Sequence, residues 1–154
     1  MRKTIISDTS CLIILSKIGE IELLKKVYGS IVTTTDIAVE FGEKLPDWIE
    51  ILAVRDVLRQ QLLEMQIDKG ESSAIALALE TTESTLILDD YKARKVANHL
   101  GLNFTGTIGV IVKAKLSGKI ESIKPILLKI KQTDFRISSE LETQALIEAH
   151  EDLK

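Results

Sequence analysis

Four acids stand where side chains can do chemistry: Asp8, Glu40, Glu71 and Asp89. Asp8 and Asp89 each end a short apolar run, Ile5-Ile6 and Leu86-Ile87-Leu88, and each is followed by a stretch with helical spacing. Glu71 opens a helix that is otherwise apolar, Ala74 to Leu79. Glu40 lies between Val39 and Phe41, a setting that predicts partial burial, and a buried carboxylate needs a hydrogen bond, a cation or a metal. Each acid also has a bland explanation. Asp8, Thr9 or Ser10 suits a helix N-cap, and Glu71 is favoured near a helix N-terminus by the macrodipole. Asp89-Asp90 suits a turn and cap, although adjacent acids repel unless a cation is close. Taken together, carboxylates gathered on one sheet edge would make a hard oxygen cage for Mg²⁺ or Mn²⁺. Such a cage suits phosphodiester hydrolysis, because the ion lowers the pKa of water and screens charge on the phosphate. Zinc has almost no ligands to draw on, with two histidines (His99, His150) and one cysteine, all scattered.

The elements that must position these acids follow from periodicity. Ile5 and Ile6 are β-branched and predict a buried strand. Leu12, Leu15, Ile18, Ile21 and Leu24 recur every three residues and predict helix up to Tyr28-Gly29. Ser30 to Thr34 reads as a second strand, followed by a helix capped by Thr35 or Asp36. Ile49 to Val54 reads as an edge strand, and Asp56 opens a helix with Val57, Leu58, Leu62 and Met65 at its apolar positions. Ala74 to Leu79 is apolar all round and belongs in the interior. Thr85 to Leu88 reads as the clearest central strand, Tyr91 to Leu100 as helix, and Leu102 to Gly106 as a short strand and turn. Helices from Thr107, from Ile123 and from a cap at Ser138 or Ser139 complete the chain. Strands alternating with helices, without consecutive hairpins, predict an α/β fold whose parallel sheet is covered on both faces. In such sheets ligands bind at the carboxyl ends of strands, where Asp8 and Asp89 fall.

A chain of 154 residues predicts one domain, 1–154, with a C-terminal helix at about 138–152 on or beside the core. With 45% apolar but only 4% aromatic residues, that core must be aliphatic. A lone cysteine, Cys11, excludes an internal disulfide framework and suits a reducing cytosol. No run approaches the roughly 20 apolar residues of a membrane span, and the N-terminus lacks a signal-peptide core. A soluble, cytoplasmic protein is expected. The net charge of −3 hides an asymmetry: residues 86 to 131 hold nine Lys/Arg against three acids. That stretch suits either a phosphate backbone or a solvated helix face. Lys92, Arg94 and Lys95 directly follow Asp89-Asp90, close enough to hold a phosphate flanking the site.

Several segments together resemble the PIN-domain family. They are Ile5-Ile6-Ser7-Asp8-Thr9-Ser10, Ala38-Val39-Glu40-Phe41, Gly70-Glu71 through Ala78, Leu86-Ile87-Leu88-Asp89-Asp90 through Ala97, and Thr105 through Val110. The resemblance covers roughly Lys3 to His150 and looks closest to a prokaryotic subgroup similar to VapC-like toxin ribonucleases. It implies a three-layer α/β/α domain with a central, mostly parallel sheet and Mg²⁺- or Mn²⁺-dependent cleavage of RNA. It also implies a homodimer and a small antitoxin protein as partner. Its acids fall on Asp8, Glu40 and Asp89 with Asp90 adjacent, and Glu71 stands where the family commonly has Asp. Thr9 and Ser10 match small hydroxyl positions that would support Asp8 or touch substrate.

Rival readings are discriminated by single residues. A receiver-type phosphoacceptor expects paired acids after the first strand, but Thr9 follows Asp8. A haloacid-dehalogenase-like phosphatase expects a second Asp where Ser10 stands. A non-catalytic PIN-like module that binds RNA or protein shares every motif and is the alternative to an endoribonuclease.

Overall fold

The computed structural model describes residues 3–153. In chain order the elements are β1 (Thr4–Ser7), α1 (Thr9–Lys17), α2 (Glu22–Tyr28), β2 (Ile31–Thr34), α3 (Thr35–Phe41) and β3 (Ile49–Leu52). There follow α4 (Val57–Leu63), α5 (Lys69–Leu79), β4 (Ser84–Ile87), α6 (Tyr91–His99) and β5 (Asn103–Thr105). Three helices close the chain: α7 (Thr107–Leu116), α8 (Lys124–Lys131) and α9 (Ser139–Glu148). The five strands form one sheet in the order β3-β2-β1-β4-β5, and every pairing is parallel. With helices covering both faces, this is a three-layer α/β/α domain.

The order has a direct consequence for function. The chain steps from β1 outward through β2 to β3, then returns to the far side of β1 with β4. The reversal leaves a crevice beyond the carboxyl ends of β1 and β4, which is where open α/β sheets bind ligands. The register pairs Ser7 with Ile87, so the residues just after both strands meet at the same height.

The core is aliphatic, as composition requires. Ile6, Leu12, Leu15, Ile75, Leu86, Ile87 and Ile111 are fully enclosed. The helix expected to be apolar on all sides is α5, where Gly70 and Ser72 to Ala78 are buried. It packs against α3, α4, β2 and β4. Cys11 is also fully buried, in keeping with a small hydrophobe.

Three expectations need correction. The cap of α3 is neither Thr35 nor Asp36 but Thr34, whose Oγ1 accepts a hydrogen bond from the Ile37 N–H at 3.1 Å. The strand closing on Asp89 is interior as expected, flanked by β1 and β5. In α4 the apolar positions face outward, with Val57 57%, Leu58 66% and Leu62 57% exposed. Gln60 and Leu63 point inward instead. Gln60 is tied down through Nε2, which donates to Asp36 Oδ2 at 2.6 Å and Glu64 Oε2 at 3.0 Å. The last helix stops at Glu148, short of 152, and His150 takes a positive φ of 59°.

That early stop places Glu151 where it closes the fold. Its side chain, 7% exposed, accepts from Lys115 Nζ at 3.0 Å, Ser122 Oγ at 2.6 Å and the Ile123 N–H at 2.8 Å. Burial alone would raise this carboxyl, but those donors outweigh it and hold it below its usual value. A depressed carboxyl stabilises the fold at neutral pH, and the contribution fades as acid protonates it. Glu151→Ala should therefore cost about 2 kcal/mol. Thermal melts at neutral pH should show a drop of about 4–8 °C that shrinks toward pH 4, and an unchanged melting temperature would show the latch to be idle.

Candidate active site

Asp8 is the hinge of the site. The apolar β1 strand ends on it, and it is only 1% exposed. Its extended backbone makes it the N-cap of α1, with Oδ1 accepting from the Cys11 N–H at 2.9 Å. Its other oxygen, Oδ2, accepts from the Asp89 N–H at 3.1 Å. One carboxylate thus joins the ends of β1 and β4 to the start of α1. Capping and site-building are the same act here, so the two explanations of Asp8 do not compete. Burial, and then the charge of Asp89, push its carboxyl up to about 8, against relief from the two N–H donors and Arg94.

Asp89 does a parallel job for α7. That helix begins at Gly106, which has no side chain to cap it. Asp89 supplies the missing acceptor from the neighbouring strand, taking the Thr107 N–H on Oδ1 at 2.8 Å and the Thr107 hydroxyl on Oδ2 at 2.5 Å. Gly106 is required by proximity: a Cβ there would lie 2.8 Å from an Arg94 terminal nitrogen and 2.9 Å from Asp89 Oδ1. Asp90 is exposed and caps α6 through the Ala93 N–H at 3.0 Å.

Glu71 is half-buried on the first turn of α5. Burial first, then a hydrogen bond with Asp68, then the charges of Asp68, Asp90 and Asp8 push its carboxyl up to about 9. Glu40 corrects an expectation: it is exposed rather than partly buried, because Val39 beside it also faces solvent, 79% exposed. Its side chain nevertheless folds back over the site. Thr9 Oγ1 donates to Glu40 Oε1 at 2.5 Å. Gly70 makes room for it, since a Cβ on Gly70 would fall 2.0 Å from the same oxygen.

Asp8, Thr9, Ser10, Ile13, Glu40, Asp68 and Glu71 line one cleft of about 370 Å³. The structure therefore brings together five of the residues expected from sequence: Asp8, Thr9, Ser10, Glu40 and Glu71. Asp89 sits behind Asp8 rather than in the cleft wall. Asp90 opens onto an adjoining hollow of about 340 Å³ with Asp68, Glu71 and Lys92. The expected closed cage is not assembled: among the described residues, no three His, Cys, Asp or Glu side chains converge in a metal-holding group. Local donors engage the carboxylates instead: Cys11 and Asp89 N–H groups for Asp8, Thr107 for Asp89, Ala93 for Asp90 and Thr9 for Glu40. The donor set still fits a hard cation, being wholly carboxylate oxygen with two carboxyls raised by burial and by neighbouring acids.

The basic trio divides. Lys92 and Lys95 are exposed. Arg94 turns inward, donating from Nε to the Leu88 carbonyl at 2.8 Å and stacking on Phe104 at 5.2 Å. Its charge bears on Asp8 from within the protein. His99 and His150 are exposed and stand apart from the cleft. Sequence reading missed Asp68, taken there as loop, and Thr107. The available signals were an acid three residues before Glu71 and a hydroxyl directly after Gly106.

A family model described as a PIN domain matches residues 4–151, so the chain belongs to the PIN-domain family. PIN domains are generally nucleases, and the fold is of that nuclease type. Comparison with curated proteins and with solved structures gives no match. Among the described residues, no helix is long and apolar enough to cross a membrane.

Proposed function

We propose that the cleft is the active site of a Mg²⁺- or Mn²⁺-dependent endoribonuclease. The observation that carries this reading is the pair of raised carboxyls, Asp8 and Glu71, sharing one cleft beside the crevice between β1 and β4. Each carboxyl holds its proton until a cation displaces it and compensates the charge. Asp8, Glu71 and Asp89 would hold the ion, with Glu40 and Asp90 reaching it through water. When bound, the ion supplies a water of lowered pKa and a counter-charge for the phosphate. With its own proton displaced by the ion, the half-buried Glu71 would be suited to take a proton from attacking water, and Glu40 to orient that water. Thr9 positions Glu40 through its hydroxyl, and Ser10 offers a second hydroxyl toward substrate. Lys92 and Lys95 would hold flanking phosphates, whereas Arg94 tunes Asp8 and braces Leu88.

The same proposal extends to biology: a cytoplasmic toxin-type ribonuclease, homodimeric and restrained by a small antitoxin protein. Buried, reduced Cys11 suits that compartment, and the outward apolar face of α4 supplies surface for a partner. The non-catalytic alternative draws on a specific fact, that both Asp89 oxygens are already engaged by Thr107. Incubating the chain with a mixed RNA pool in Mn²⁺ and in EDTA, with binding measured alongside, separates the two. Cleavage in Mn²⁺ alone is expected. Tight binding with intact RNA in both conditions would make the chain a binder.

A further inference from the structure

A hollow of about 590 Å³ lies between the end of α4, the loop into α5 and the outer side of α6. Its floor is apolar: Leu63, Ile67, Val96 and Leu100. Its rim is polar, with Lys92, Lys95, His99 and Gln66. Lys92 and Lys95 have no acidic partner within ion-pair distance among the described residues. The hollow is also continuous with the carboxylate cleft. It shares Gln66, Ile67 and Lys92 with the middle hollow, which in turn shares Asp68 and Glu71 with the cleft.

We infer that this groove is a base-recognition pocket, taking an unpaired nucleobase from the RNA strand whose scissile phosphate lies at the carboxylates. The inference rests on the ribonuclease reading above. A strand running along the three hollows meets carboxylates first and then two free lysines, the charge order that a cleaved and then a flanking phosphate require. Between the lysines an apolar floor excludes water from a base face. His99 supplies a ring for stacking, and rings of this kind are what proteins lay against splayed bases. Gln66, with one donor and one acceptor group on its amide, can read the base edge. A base held in a duplex is paired and stacked on its neighbours, so it cannot enter such a pocket. The groove therefore selects single-stranded or looped RNA, and Gln66 biases the choice among bases.

The test uses the full chain and fluorescent single-stranded homopolymers of A, C and U beside a blunt RNA duplex. Anisotropy is read in EDTA, so that binding is seen without cleavage. Single strands should bind about tenfold more tightly than the duplex. His99→Ala should lose about tenfold on single strands, the scale of one stacked base, with little change on duplex. Gln66→Ala should narrow the spread among the three homopolymers. Both residues are exposed, so the variants should fold as the parent does. Equal affinity for duplex and single strands, or His99→Ala binding like the parent, would overturn the pocket. The parent's hydrolysis of bis(4-nitrophenyl) phosphate in Mn²⁺, a diester without bases, reports on the cleft separately. Its absence would count against the ribonuclease reading while leaving the binding result to stand by itself.

Discussion

Asp8→Asn and Asp89→Asn should each reduce RNA cleavage by about 10³-fold or more, the scale expected for groups that act as a unit at the reacting centre. Asparagine is the informative replacement because it removes charge while keeping a hydrogen-bonding oxygen. At position 8 that oxygen can still accept from one of the two N–H donors, Cys11 or Asp89. At position 89 it can accept the Thr107 N–H, while the new amide donates to the Thr107 hydroxyl. The fold should survive, so lost rate reads as lost chemistry. Alanine at either place would abolish cleavage too, but it also strips a cap and costs about 1 kcal/mol or more of stability. Asp90→Asn should be far milder, less than about tenfold, because Asp90 is exposed and its bond to Ala93 tolerates an amide. Glu71→Gln should keep more metal affinity than Asp8→Asn while losing rate. Single-turnover cleavage and calorimetric Mn²⁺ titration on the same preparations decide these points. Activity lost at Asp90 but spared at Asp89 would move the catalytic acid by one residue. Parental rates in every variant would reduce the acids to helix caps.

Divalent cations should stabilise the protein, and do so more at pH 8 than at pH 6. Asp8 is raised from 3.8 to about 8 on folding, and Glu71 from 4.5 to about 9. Between those values the folded chain holds protons that the unfolded chain releases. Stability without metal therefore falls as pH climbs from about 4 through 8, by the linkage between proton binding and folding. Asp8 should dominate that slope, since Glu71 is half in water and better screened. A cation must displace the same protons, so its affinity rises with pH. Mn²⁺ at about 100 times its dissociation constant contributes about 2.7 kcal/mol, or about 5–10 °C in a domain of this size. Melting curves in EDTA and in Mn²⁺ at the two pH values measure this directly. Asp8→Asn should flatten both the pH slope and the metal gain. A flat profile in EDTA with no Mn²⁺ shift would sink the metal site.

What sequence could show was where strands stop and helices start. Ile5-Ile6 ahead of Asp8, and Leu86-Ile87 ahead of Asp89, marked both strand ends, because short apolar runs broken by an acid obey local rules. Ile49 to Val54 was legible as an edge strand, and β3 does lie at the sheet edge. Side-chain direction was not legible, because it depends on neighbours distant in the chain. Arg94 turned toward Leu88 and Phe104, not toward solvent with Lys92 and Lys95. Glu40 proved exposed, since the burial of a helix flank depends on which partner packs there, and α3 offers Ile37 to the core instead. The grip of Asp89 on Thr107 depended on Gly106 leaving space, a tertiary fact that no spacing within one segment encodes.

The parallel pairing of β1 with β4 also sets when such a protein can act. Asp8 is made well before its partners: the amide that holds its second oxygen belongs to Asp89, and the donors that orient Asp89 belong to Thr107. With the ribosomal tunnel hiding the most recent stretch of chain, β1 and β4 meet only after synthesis has passed well beyond β4. An unfinished chain holds Asp8, Glu40 and even Glu71 without the strand that aligns them. The carboxylate arrangement is thereby withheld until β4 and the start of α7 have left the tunnel.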